Sequence, residues 1–306
     1  EKNSENSISF IEVYNIQNLD EKSSNNEPVL APSISHHIFN TNEKYNYDFK
    51  FNAHSIYNDE SYDMKRWSGL GKINKQFSYD NLLLEADANI GLDLYSIQGR
   101  PSTDSNDNRY IDRISSGFSI AASHQYILMN EATSLLIEPK IQFSSVFSSD
   151  RTDEVPNRDS TEFRLDQANL FLNNQFQGRD NIQKNNRINL GVTSFVMTEN
   201  LGDINFFIGQ SQKVSGTQKN VAVANEDRQS HIINSIDWNP SKMYKFSWFS
   251  LYNHHNFKSD TSDFNFNGSF NGWSYSANHK SVDGEFISNN IDREELKLGL
   301  SKNFSN

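Results

Sequence analysis

The sequence predicts an all-β protein, an antiparallel transmembrane β-barrel of the outer-membrane type, formed by one domain over residues 1–306. Three observations lead there. Apolar and polar residues alternate with period two in segment after segment, as they do when successive strand side chains point to opposite faces. Many of these segments reach the roughly 9 to 11 residues that a tilted strand needs to cross a bilayer. The composition is polar yet rich in rings: hydrophobic residues are 35% and mean hydropathy is −0.74, while aromatics reach 12%, with 22 Phe and 12 Tyr. Disordered chains are poor in aromatics, and helical membrane proteins are far more apolar. A barrel with one face toward a wet lumen and one toward lipid accounts for both facts. No apolar run approaches the roughly 18 residues of a spanning helix.

The first clear element alternates Tyr45, Tyr47, Phe49, Phe51 and Ala53 with Asn46, Asp48, Lys50, Asn52 and His54. Gly69-Leu70-Gly71 follows as glycine within a strand, since it lacks the third glycine and the helix of a dinucleotide site. The strongest alternation places Leu82, Leu84, Ala86, Ala88, Ile90, Leu92 and Leu94 on one face. Glu85, Asp87, Asn89 and Asp93 fall on the other, so Glu85, Asp87 and Asn89 are expected to face the lumen. Strands are predicted next at 114–126 and at 135–143, where Leu135, Ile137, Pro139, Ile141 and Phe143 oppose Glu138, Lys140 and Gln142. Further strands are predicted at 188–196, 204–209, 232–238, 244–252, 264–270, 273–279 and 296–300. Polar connections at 20–27, 99–112, 148–160, 177–186 and 215–228 resemble the long loops of a barrel, and Asn58-Asp59-Glu60 and Asn271-Gly272 its tight turns. Trp67, Tyr79, Tyr95, Tyr126, Trp238 and Trp273 stand near strand ends, where interfacial girdles form or where rings pack between soluble sheets.

The chemistry-bearing residues form no site. The absence of cysteine removes thiolate and disulfide readings. A net charge of −11 without a basic stripe argues against nucleic acid. Asp104, Asn106 and Asn108 have calcium-loop spacing, but Arg109 stands where the loop needs Gly and Ser115 where it needs Glu. The pairs His36-His37 and His254-His255 cannot both ligate one ion from a regular strand, because neighbouring strand residues point apart. No compact nucleophile motif is present, so the chain is expected to be no enzyme and to hold no metal, nucleotide or covalent cofactor.

The middle third carries an ordered series of motifs. It begins with Leu136-Ile137-Glu138-Pro139, then Val155-Pro156-Asn157-Arg158-Asp159-Ser160, Phe163, Asp166 and Asn169-Leu170-Phe171. Gln175-Phe176-Gln177-Gly178-Arg179-Asp180, Asn186-Arg187-Ile188-Asn189-Leu190-Gly191 and Phe207-Ile208-Gly209-Gln210-Ser211 complete it. Pro28-Val29-Leu30-Ala31-Pro32 and Trp238-Asn239-Pro240 flank it. The series resembles the C-terminal barrel of the LptD (OstA, Imp) family of lipopolysaccharide-assembly proteins, in its alphaproteobacterial form. On that resemblance the family's structural motif maps to Glu138, Pro139, Pro156, Asn157, Asp166, Asn169, Phe171, Phe176, Gly178, Asp180, Asn186, Arg187, Gly191, Gly209 and Gln210. One departure stands out: the family usually has its Arg after the Asp that follows this glycine, whereas Arg179 precedes Asp180 here.

The resemblance implies lipopolysaccharide transport into the outer leaflet of the Gram-negative outer membrane. The expected partners are an LptE-like lipoprotein plugging the lumen, an LptA-like periplasmic bridge, lipopolysaccharide itself and outer-membrane lipids. The family's N-terminal periplasmic jellyroll and early barrel strands are not visible, and the chain ends Phe304-Ser305-Asn306 rather than on an aromatic, so a fragment with an open sheet is expected. A porin-like passive channel and a soluble β-rich adhesin are the alternatives. The connection 148–187 could lie within the lumen or outside as a solvated loop.

Overall fold

The computed structural model describes residues 2–4, 6–15, 29–41, 45–57, 63–98, 108–149, 154–157, 159–162, 164–216, 228–284 and 291–303. The strands in chain order are β1 Lys2–Ser4, β2 Ser7–Asn15, β3 Val29–Thr41, β4 Asn46–Tyr57, β5 Asp63–Tyr79 and β6 Leu82–Gln98. Then come β7 Arg109–His124, β8 Tyr126–Met129, β9 Thr133–Ser148, β10 Thr161–Glu162, β11 Phe176–Gln177 and β12 Asn185–Thr198. The last six are β13 Gly202–Gly216, β14 Ile232–Ser241, β15 Tyr244–Tyr252, β16 Ser259–Phe270, β17 Trp273–Val282 and β18 Arg293–Lys302. Among the described residues, all except β10 and β11 join one antiparallel sheet of 16 strands, in chain order save that β9 pairs with both β7 and β8, an outer-membrane barrel-like fold. Among the described residues β18 pairs with β17 alone and β1 with β2 alone, so the first and last strands do not meet.

Short turns and long connections alternate along the sheet. β5–β6, β12–β13, β14–β15 and β16–β17 are joined by tight turns at one end. At Asn271-Gly272 both residues adopt left-handed φ, +49° and +77°, the geometry that matches the twist of a two-residue hairpin. The expected turn at 58–60, the connection 20–27 and most of 99–112, with Asp104 and Asn106, lie outside the described residues, as do Arg158, Phe163 and 304–306. Asp112, read as loop, belongs to β7.

The alternation on β6 is as expected. Leu84, Ile90, Leu92 and Leu94 are exposed outward, whereas Glu85, Asp87 and Asn89 are half-buried and Asp93 fully buried on the inner side. The outward belt continues through Ile114, Phe118, Ile120, Ile141 and Phe143. Further along, Trp238 stacks on Phe246 at 5.2 Å between ring centroids, and Phe246 on Phe266 at 4.9 Å. Such a surface suits hydrocarbon and would cost free energy in water.

Three readings need correction. The predicted strand 114–126 ends at His124, and Tyr126 starts β8, which continues along β9. The break falls opposite Glu138 and Pro139, where proline has no N–H to give to a ladder and the Gln125 amide donates to Glu138 Oε2 at 3.0 Å. Tyr95 is no girdle residue: it shares the inner parity of Asp93 and is 2% exposed. His254 and His255 lie in the turn after β15, not on a strand, and their rings are 3.8 Å apart. His36 and His37 do sit on a strand, β3, and oppose Phe51 and Lys50, residues of opposite faces.

Candidate functional site

The connection between β9 and β12 turns inward. The described residues of 154–184 pack against the inner face, and contacts to this one segment come from β5 to β7 on one side and from β16 on the other. The sheet therefore curves around it. Local chemistry shapes the segment before it docks. Asp166 Oδ1 accepts from the amides of Ala168 and Asn169, while Asn169 Oδ1 accepts from the Asp166 amide, closing a turn with side-chain oxygens. Asn157 and Ser160 close a second turn in the same way. Gly178 has φ +87°, and a Cβ there would strike the Asp159 carbonyl, so only glycine fits without strain. β10 and β11 pair within the segment.

A buried charge network fastens the segment at its two ends. Register places Arg66 of β5 opposite Tyr95 of β6, and Asp93 of β6 opposite Arg113 of β7, all on the inner face. Arg66 Nη1 donates to Asp159 Oδ2 at 2.6 Å and to Asp180 Oδ1 at 2.7 Å. Arg113 donates to Asp93 Oδ2 through Nε at 3.1 Å and Nη2 at 2.8 Å, to the Tyr95 hydroxyl at 2.7 Å, and to the Asp180 carbonyl at 2.6 Å. Arg179 Nε donates to the other Asp93 oxygen at 2.8 Å. Three guanidinium groups thus meet three carboxylates. Burial alone would push the Asp159 carboxyl up, but Arg66 beside it and the amides of Arg179 and Asp180 outweigh that and hold it well below the usual carboxylate range. Buried ion pairs add little net stability, yet breaking one partner is costly, so such a network selects one docked geometry.

Apolar contacts complete the docking. Val155 joins Ile56, Met64, Tyr95, Ile97 and Ile111, and Leu165 and Leu170 join Phe207, Ile233 and Leu251. Gly191 and Gly209 leave the wall shallow where the segment rests: a Cβ on Gly209 would stand 2.6 Å from Leu170 Cδ2, and one on Gly191 3.0 Å from the Phe171 ring. Arg187, fully buried, donates to the carbonyls of Leu172 and Asn173 and to Gln183 Oε1 at 2.7 Å. Asn189, Gln142 and Ser211 run on from it as a hydrogen-bonded row across β9, β12 and β13.

Below the segment lies a polar chamber of about 480 Å³, lined among others by Lys50, Lys72, Glu85, Asp87, Asn89 and Lys140. The three lumen candidates Glu85, Asp87 and Asn89 meet here. Lys140 is paired with Glu85, and the Asn173 amide donates to Asp87 at 2.6 Å.

Of the residues carried by the motif series, Pro156, Asn157, Asp166, Asn169, Phe171, Phe176, Gly178 and Asp180 belong to the docked segment. Arg187, Gly191 and Gly209 form its seat. Glu138 and Pro139 lie at the β8–β9 break, Gln210 donates to the Ser230 carbonyl at 2.9 Å, and Asn186 to Ser215 Oγ at 2.8 Å, away from the segment. Arg66 and Arg113 were not anticipated, and Tyr95 was expected at a girdle or between sheets and not in this network. A signal existed for Arg113, a charge on the inner parity of a strand long enough to span, which in a membrane marks a paired or functional group. Among the described residues no cluster of three or more His, Cys, Asp or Glu could hold a metal ion.

The family model described as "LptD: LPS transport system D" matches residues 2–302. No curated protein matches. Among solved structures, CdiB from Acinetobacter baumannii is similar at 10% identity and a TM-score of 0.44, over 90% of this chain and 50% of that one, so this chain spans half of CdiB's length.

Proposed function

This chain belongs to the LptD family, whose model covers it from residue 2 to residue 302, and from that premise we propose that it forms transmembrane wall of the translocon that delivers lipopolysaccharide to the outer leaflet of the outer membrane. The observation that carries the reading is the opposed chemistry of the two faces. The outward belt from Leu84 to Phe143 suits acyl chains, and the inner face from Glu85 to Asp93 suits a hydrated glycan. A two-faced sheet handles an amphiphile without covalent chemistry, so a transport role needs no catalytic group.

In this reading the short turns face the periplasm and the segment 154–184 enters from the outer side, standing over the route that a glycan takes through the lumen. The network of Arg66, Arg113, Arg179, Asp93, Asp159 and Asp180 then acts as a latch. Among the described residues the far edges of β1 and β18 carry no strand partner, and in hydrocarbon such edges have to be paired, because open backbone groups are not tolerated there. An LptE-like lipoprotein in the lumen and an LptA-like bridge on the periplasmic side are the partners such a route requires. The ordered motif series favours the alphaproteobacterial form of the family.

Depletion of the full-length protein in its own cells tests the proposal. Newly made lipopolysaccharide should stop appearing at the cell surface and accumulate inside, while porin assembly continues. Normal surface delivery after depletion would overturn it.

A further inference from the structure

The hairpin of β8 and β9 reaches past the strand beside it. β5 and β6 turn back at Asp80-Asn81, where Asp80 adopts φ +49°, and the Gln125 amide donates to the Asn81 carbonyl at 2.9 Å as the chain leaves β6 behind. Tyr126–Met129 continue in the register of β7, since Ser123 faces Lys140 and Tyr126 faces Ile137 across β9. Among the described residues β9 is the only strand that β8 pairs with, so its other edge is open. Backbone direction alternates along an antiparallel strand. The Gln125 amide points toward β6, and the backbone groups of Ile127 and Met129 share its parity, so they point away from β9 along the open edge.

None of the usual devices blunts this edge. Residues 125–130 contain no Lys and no Pro, and the unbroken register leaves no bulge. Instead Tyr126, Ile127, Leu128 and Met129 are all between 47% and 74% exposed. Tyr126 and Leu128 have the outward parity of Phe118 and Ile120, while Ile127 and Met129 have the inner one. The inner apolar patch runs on through Leu136, opposite Ile127, to Phe195, opposite Leu136. A strand added here finds hydrogen-bond partners along its backbone and apolar neighbours on both of its faces.

The charge around the edge has one sign. Asp80 stands at one end of it and Glu131 in the turn at the other, with Glu199 of the next turn close by, its amide donating to the Ala132 carbonyl at 3.4 Å. All three side chains are exposed and in no ion pair among the described residues. Residues 125–138 and the turns 80–81 and 199–201 contain no Lys or Arg. Antiparallel pairing of two copies through β8 would set Asp80 of each against Glu131 of the other, which repels. Lipid offers no acceptor to the Ile127 and Met129 amides.

We propose that β8 is an edge-addition site for an extended segment of a partner protein, apolar over about four residues and carrying Lys or Arg at its ends. That this partner is periplasmic rests on the orientation given above; the open edge and its charge do not.

The test uses the full-length protein in detergent micelles, titrated with a peptide of alternating valine and threonine that ends in lysine on both sides, and residue-resolved hydrogen exchange as the readout. Saturating peptide should slow exchange at Ile127 and Met129 at least tenfold and leave Tyr126 and Leu128, already bonded to β9, unchanged. The same peptide ending in glutamate should bind at least tenfold more weakly, and a backbone N-methylated version should not slow exchange at all. Ile127→Pro removes an N–H that gives no bond to β9 and should weaken the lysine-ended peptide at least tenfold. Asp80→Asn/Glu131→Gln, with an asparagine that tolerates the left-handed φ, should bring the two peptides to equal affinity and keeps the test decisive where the proline variant does not fold. No slowing at Ile127 and Met129, equal slowing by the N-methylated peptide, or equal binding of the glutamate-ended peptide overturns the proposal. Slow exchange at these two amides without peptide also overturns it, in lipid nanodiscs by assigning the edge to the bilayer and in a dimer by sedimentation by assigning it to a second copy. These outcomes are independent of surface delivery of lipopolysaccharide in depleted cells, so failure of the edge site and failure of the transport reading are told apart.

Discussion

Replacing Asp180 by alanine removes a fully buried polar anchor of the segment. The side chain is fully buried and accepts from Arg66 Nη1 at 2.7 Å, from the Tyr95 hydroxyl at 3.3 Å and from the Asp159 amide at 3.0 Å. Losing one partner of a buried pair costs about 3 to 5 kcal/mol. Arg66 retains Asp159 at 2.6 Å, which places the expected loss near the lower end, about 3 kcal/mol. At about 1.4 kcal/mol per decade, the undocked population should rise about 100-fold. Hydrogen exchange of the amides at 178–183, measured on folded protein in detergent, reads that population directly. Asp180→Asn keeps an acceptor and loses the charge, so its effect should be smaller, about tenfold in exchange. In the background of Arg66→Met the alanine substitution should cost less, because the guanidinium it would strand is gone. Unchanged exchange in Asp180→Ala, with the barrel folded by heat-modifiable migration, would refute the latch.

Other perturbations separate the remaining parts of the account. Gly209→Leu would press on Leu170 and Phe207, whose nearest atoms stand 2.6 and 2.7 Å from the new Cβ; overpacking of about 1 to 3 kcal/mol should raise exchange at 165–171 by at least fivefold. Ala88→Lys puts a charge on the outward face of β6 and should destabilise the protein in phospholipid vesicles by about 2 to 4 kcal/mol, read by urea titration, while Asn89→Lys on the inner face costs far less. The Asp159 carboxyl is held below its ordinary value in the docked state, so its contribution is fully present above the unfolded pKa of about 3.9 and is lost only as pH falls below it. Protease protection of the segment should therefore be the same at pH 5 and pH 7 and should weaken only in stronger acid.

The wall of the barrel was legible because strand alternation is a local signal. The parity that sets Leu84 and Ile90 outward also sets Glu85, Asp87 and Asn89 inward, and no distant contact overrides it. Tyr95 shows where that reading was applied too loosely: ring chemistry suggested a girdle, whereas its parity with Asp93 already assigned it to the interior. The fate of residues 154–184 was not legible. Arg66 and Asp180 are 114 positions apart, and nothing local says that they meet. The motif series pointed at the right stretch, since eight of its residues lie in the docked segment, but it could not say that Gly191 and Gly209 serve as a seat for Phe171 and Leu170. The inversion at Arg179-Asp180 likewise became interpretable only with the partner in view: Asp180 turns to Arg66, and Arg179 to Asp93.

The most direct measurement of the central claim is photocrosslinking in living cells, with a photoreactive residue placed in the full-length protein at Asn89 on the inner face or at Tyr79, exposed on the outward face at the short-turn end of β5. Transport of lipopolysaccharide through this lumen predicts adducts with lipopolysaccharide at position 89 that vanish when its supply is cut off, and adducts at position 79 that do not depend on that supply because ordinary membrane lipid surrounds it. Absence of any supply-dependent lipopolysaccharide adduct at position 89, in a protein that still folds and sustains growth, would contradict the account.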